Sequence, residues 1–91
     1  MDAQKFGTFI AQCRKEKGMT QSELAAKIMV TDKAVSRWER GKGFPDINLI
    51  LPLAGALEVS VFELMHSERQ KEKAQLFQDD TAIVHLMENA V

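Results

Sequence analysis

The 91-residue sequence holds a single cysteine, Cys13, so the chain can form no internal disulfide and no multi-cysteine metal site. No apolar run approaches the ~18 residues of a membrane span, and the N-terminus has no basic-then-apolar secretion signal. These absences predict a cytoplasmic protein. An excess of positive charge is also missing. Twelve Lys and Arg against 13 Asp and Glu leave a formal net charge of −1, which argues against a uniformly basic, histone-like chain. No internal repeat, low-complexity segment or alternating strand pattern occurs. Ser22, Ser36 and Ser60 have no histidine nearby, so no nucleophile, base and orienting group come together and no enzyme is expected. His66 and His85 lack a second ligand at metal-binding spacing, so neither a metal nor a cofactor is expected.

The composition, 45% apolar and 27% charged, is that of a soluble globular domain. A chain of this size buries only ~60–65% of its unfolded surface, which allows one modest core. The weak net charge is a cancellation between halves. Residues 1–45 carry nine Lys and Arg against five Asp and Glu, a balance of +4, and residues 46–91 carry three against eight, a balance of −5. The first half is therefore suited to a polyanion.

Phe6, Phe9, Ile10 and Cys13 recur at helical spacing, with Gln12, Arg14, Lys15 and Lys17 on the opposite side and Gly18 placed to end the helix. Thr20-Gln21-Ser22-Glu23 spells a capping box for a short second helix that buries Leu24, Ala25 and Ile28. Thr31 caps a third helix, Asp32 to Arg40, which turns Ala34, Val35 and Trp38 inward and Lys33, Ser36, Arg37 and Arg40 outward until Gly41 ends it. Gly41 to Pro45 is a loop, and Asp46 is placed as the next N-cap. Ile47, Ile50, Leu51, Ala54 and Leu57 then sustain a fourth helix, with Pro52 either in its first turn or at a kink. Ser60-Val61-Phe62-Glu63 caps a fifth helix. Cys13 and the methionines Met19, Met29, Met65 and Met87 are expected to pack as hydrophobes.

This pattern predicts an all-α orthogonal bundle of five helices over residues 1–66 and a helical extension over 67–91. The apolar face of residues 80–91 needs a partner: the domain, a second subunit, or sequence beyond Ala90-Val91 if the chain is the N-terminal portion of a longer protein.

A short helix, a tight turn and a cationic second helix form the helix-turn-helix arrangement. The segments TQSELAAKIMVTDKAVSRWERGKGFPD and LAGALEVSVFELM resemble the phage-repressor or Cro-like (xenobiotic-response-element) helix-turn-helix family, over Phe9 to Met65. The resemblance implies a lambda-repressor-like fold and a dimeric, double-stranded-DNA-binding regulator, most simply a repressor. Asp32, Lys33, Ser36 and Arg37 share the face opposite Val35 and Trp38, where the family reads bases in the major groove. Gln21, Thr31, Arg40, Lys42 and the amides of Gly43 and Phe44 take the phosphate-binding positions. Arg14 and Glu39 stand where the family has a bracing ion pair. Met29 and Glu58 replace usual glycines, so either each costs about 1 kcal/mol in a left-handed conformation or the turn is reshaped. The homodimer interface is expected at residues 80–91 or at the fourth and fifth helices. The alternative function is an antitoxin or adaptor that binds a partner protein through residues 66–91.

Overall fold

A computed structural model describes residues 1–69, which fold into five helices. They are α1 (Ala3–Glu16), α2 (Gln21–Lys27), α3 (Asp32–Glu39), α4 (Ile50–Leu57) and α5 (Val61–His66), with a 3₁₀ turn, Ile47–Leu49, before α4. The helix expected over residues 80–91 lies outside the described residues. Helix α3 packs on both α1 and α2, and α5 packs on α1 and α4. Their apolar faces meet in one core built from Phe6, Phe9, Ile10 and Cys13 of α1, Leu24 and Ala25 of α2, Val35 and Trp38 of α3, Leu53, Ala54 and Leu57 of α4, and Leu64 of α5. Burial also pushes the Cys13 thiol above its ordinary pKa, against the opposing pull of the Arg69 guanidinium 3.4 Å away, so it is a poor nucleophile.

Four of the five helices, all but α4, begin with a side-chain cap. Thr20 and Ser60 make complete capping boxes with Glu23 and Glu63, and the Thr31 hydroxyl accepts from the Ala34 amide at 3.1 Å. The Asp2 carboxylate caps α1 by accepting from the amides of Gln4 and Lys5. Asp46 stands where the sequence places an N-cap, but its side chain makes no capping bond and only its carbonyl accepts, from Leu49. Pro52 lies in the first turn of α4, where its missing N–H has no intrahelical carbonyl to serve.

All five helices end alike. At each end a left-handed residue donates back to one carbonyl and the next residue donates to a carbonyl one position earlier, the Schellman closure. The left-handed residues are Gly18, Met29, Gly41, Glu58 and Ser67. Met29 and Glu58 therefore keep the conformation that glycine adopts without strain, and the turn is not reshaped. The Lys17 ammonium lies 2.6 Å from the Glu58 carboxylate, joining the ends of α1 and α4 and holding that carboxyl below its usual pKa.

Met29 does not pack as expected: its side chain is 89% exposed. Replacing it by glycine removes a left-handed penalty of about 1–2 kcal/mol, offset by about 0.5–1 kcal/mol of extra unfolded-chain entropy. Met29→Gly should raise the thermal midpoint measurably, and an unchanged or lower midpoint would show that the side chain contributes something its exposure hides. The sequence pattern also misplaces Ile47 and Leu51. Ile47 sits in the 3₁₀ turn, and the two are 75% and 70% exposed.

Candidate nucleic-acid interface

Helix α3 is fixed from behind. Val35 and Trp38, one turn apart, are buried, and Glu39 at its last turn enters a polar network beneath α1 and α2. The Glu39 carboxylate accepts from Arg14 Nε at 2.7 Å and Arg14 Nη2 at 2.9 Å, a two-pronged pair, and from Gln21 Nε2 at 2.8 Å. Arg14 Nη1 donates to the Met19 carbonyl at 2.8 Å. The pairing raises the guanidinium pKa further above its ordinary value. Periodicity puts Arg14 on the solvent side of the first helix. The structure corrects this: its side chain is buried, because the carboxylate of a different helix meets it there.

On the front of α3, Asp32, Lys33 and Arg37 are exposed and Ser36 is half-buried. The Lys33 side chain makes no hydrogen bond or ion pair among the described residues. Asp32 accepts weakly from the Ser22 hydroxyl, at 3.4 Å, across the turn between α2 and α3. Ser36 is engaged by Arg40, whose Nε donates to its hydroxyl at 3.2 Å and its carbonyl at 3.3 Å. Arg37 reaches the following loop, where its Nη2 donates to the Lys42 carbonyl at 3.1 Å.

The residues that the family resemblance assigns to phosphates fall into two groups. Gln21 and Thr31 lie at the N-terminal ends of α2 and α3; the Gln21 amide is half-buried and turned toward Glu39, while Thr31 is exposed. Arg40, Lys42, Gly43 and Phe44 follow the C-terminal end of α3, with the Arg40 and Lys42 side chains exposed. The Phe44 ring tilts against Phe6 of α1 with centroids 5.3 Å apart, which pins the loop to the core. The Gly43 and Phe44 amides donate to no other described residue. Around α3 the face thus presents four cations, Lys33, Arg37, Arg40 and Lys42, and two unused amides, a surface that can take phosphate oxygens and base acceptors together.

Residues 10–64 match the helix-turn-helix family model. The chain belongs to the helix-turn-helix family. It is 39% identical over 66 residues to the HTH-type transcriptional regulator y4dJ of Sinorhizobium fredii, covering 71% of this chain and 86% of that protein. It is 33% identical over 64 residues to the HTH-type transcriptional activator BcrR of Enterococcus faecalis, covering 70% of this chain but only 31% of that protein. The fold superposes on the restriction-modification controller protein C.AhdI of Aeromonas hydrophila with a TM-score of 0.65 at 35% identity, over 69% of this chain and 91% of that one. Residues 10–64 are therefore a helix-turn-helix domain similar to those of these transcription regulators. Among the described residues no helix is long and apolar enough to cross a membrane, and no group of three metal-ligating side chains occurs.

Sequence periodicity reveals neither the Gln21–Glu39 bond nor the Met19 carbonyl that completes the Arg14 site. Nor does it single out Gly7, which sets how closely α1 approaches the end of α3. Helical period announces none of the three, because the Gln21–Glu39 bond and the Gly7 contact depend on two helices meeting and the Met19 carbonyl on how the chain closes α1.

Proposed function

We propose that the protein is a sequence-specific transcription regulator that binds double-stranded DNA as a homodimer in the cytoplasm and represses by occupying its operator, without metal, cofactor or a reaction of its own. The observation that carries this is the build of α3. It is anchored by Val35, Trp38 and Glu39, and it turns Asp32, Lys33 and Arg37 outward between two groups of phosphate-binding positions. A major groove about 12 Å wide accepts one such helix. Repression needs only this surface, since a bound operator is closed to other proteins.

One recognition helix spans only a few base pairs, so a dimer is needed to read a long enough site. The surface that supports it is the outer side of the 3₁₀ turn and α4, where Ile47, Asn48, Leu51, Pro52 and Gly55 are exposed and residues 47–57 contain no charge. A charge-free patch can meet its own copy across a two-fold axis without like-charge repulsion. Selection of bound duplexes from random DNA tests the proposal. The expected yield is a palindromic site with half-sites about 34 Å, or one helical turn, apart. Recovery of unenriched DNA, or of co-purified protein in place of DNA binding, would sink it.

A further inference from the structure

We infer that Arg37 is a positioning residue for the phosphate contact of Lys42, so that the two cations engage DNA as one coupled unit; this rests on the DNA-binding reading above. Where α3 closes, the Lys42 amide donates to the Arg37 carbonyl at 2.9 Å. The Arg37 side chain then returns to the same residue and donates from Nη2 to the Lys42 carbonyl at 3.1 Å. Arg37 thus holds both backbone polar groups of Lys42. The closure alone would fix the amide and leave the carbonyl free to rotate with the loop beyond it. Held at both, Lys42 has a set backbone direction, and its side chain leaves the loop from a fixed base.

Gly43 makes this possible. A Cβ at that position would lie 3.0 Å from Arg37 Nη2 and 3.8 Å from Cζ, so a side chain there forces the guanidinium back by a few tenths of an ångström and stretches its bond to the Lys42 carbonyl. Downstream, the packing of Phe44 against Phe6 holds the other end of the segment. Both side chains end in solvent and carry positive charge, so a phosphate oxygen bound beside this loop is attracted by both. The arrangement is therefore poised for an anion and has no role in the core, since Arg37 and Lys42 are both exposed.

A double-mutant cycle decides it. The full chain and its Arg37→Ala, Lys42→Ala, doubly substituted and Gly43→Ala variants are titrated with a short mixed-sequence duplex across a range of salt. The slope of log K against log salt flattens by about 0.9 for every phosphate the protein ceases to neutralise. Lys42→Ala should flatten it by about one such step. Arg37→Ala should flatten it by about two although it removes one charge, and the double variant should lose no more than Arg37→Ala alone. Gly43→Ala removes no charge, yet should also flatten the slope by a fraction of a step. If the two single effects add in the double variant and Gly43→Ala leaves the slope unchanged, the cations act independently and the inference is wrong. Thermal unfolding of each variant separates an effect on folding from an effect on binding. No binding by the unaltered chain at low salt would instead overturn the DNA-binding reading itself.

Discussion

Glu39→Ala is expected to remove about 3–5 kcal/mol of folding stability. A domain of this size has only about 4–10 kcal/mol in total, at roughly 0.05–0.15 kcal/mol per residue, so the variant should be largely unfolded near its physiological temperature. The reason is an asymmetry between the partners. With the carboxylate gone, the Arg14 guanidinium, its side chain only 10% exposed, keeps the Met19 carbonyl as an acceptor but loses two charge-assisted bonds, and it cannot shed its proton. Gln21 loses its acceptor at the same time. Arg14→Ala should cost less, because a stranded Glu39 carboxylate still accepts from Gln21.

Replacing both partners together, Arg14→Met with Glu39→Leu, removes the buried charges rather than orphaning one, and should recover most of the loss. Urea midpoints of the four proteins check this. A Glu39→Ala midpoint within about 0.5 kcal/mol of the parent would mean that the pair is solvated and contributes little. If the double variant recovers stability but binds DNA more weakly, the brace serves to orient α3 and Gln21 more than to hold the fold.

How much of this is readable in the chain follows from what each feature depends on. Helical period, two capping boxes and the Thr31 cap are local, and they place α1, α2, α3 and α5 close to their observed bounds. The left-handed positions of Gly18 and Gly41 are equally local. Those of Met29 and Glu58 are visible only against the family pattern, since neither residue type favours that conformation. Period alone misreads Arg14, Ile47 and Leu51, because it registers polarity and spacing but not which neighbour arrives from elsewhere in the chain. The site divides in the same way. Which side chains face outward from α3 is legible, whereas the links from Arg37 to Lys42 and from Gln21 to Glu39 need the loop and the second helix in place.

Gly7 shows that limit most sharply and carries the other large expected effect. It sits inside α1, where glycine is about 1 kcal/mol worse than alanine, so on local grounds Gly7→Ala should stabilise the protein. In the fold, a Cβ there would lie 2.2 Å from the Trp38 carbonyl oxygen and 2.8 Å from that of Glu39. These are backbone atoms at the end of α3, and no rotamer change can move them aside. Helices α1 and α3 must separate by roughly 1 Å, which loosens the dispersion contacts of Phe6 and Trp38 and pulls Arg14 away from Glu39. Overpacking at the upper end of its usual ~1–3 kcal/mol, less the helix-propensity gain, gives a net loss of about 2 kcal/mol and a fall in melting temperature on the order of 10 °C. Gly55 provides the control. It lies inside α4 with open space where its Cβ would be, so Gly55→Ala should stabilise by about 0.5–1 kcal/mol. Opposite signs for the same replacement, read by thermal unfolding at low protein concentration, would show that helix spacing and not propensity decides the outcome at Gly7. Equal stabilisation by both would mean that α1 and α3 are not held as closely as the structure places them, and that the orientation of α3 does not depend on that contact.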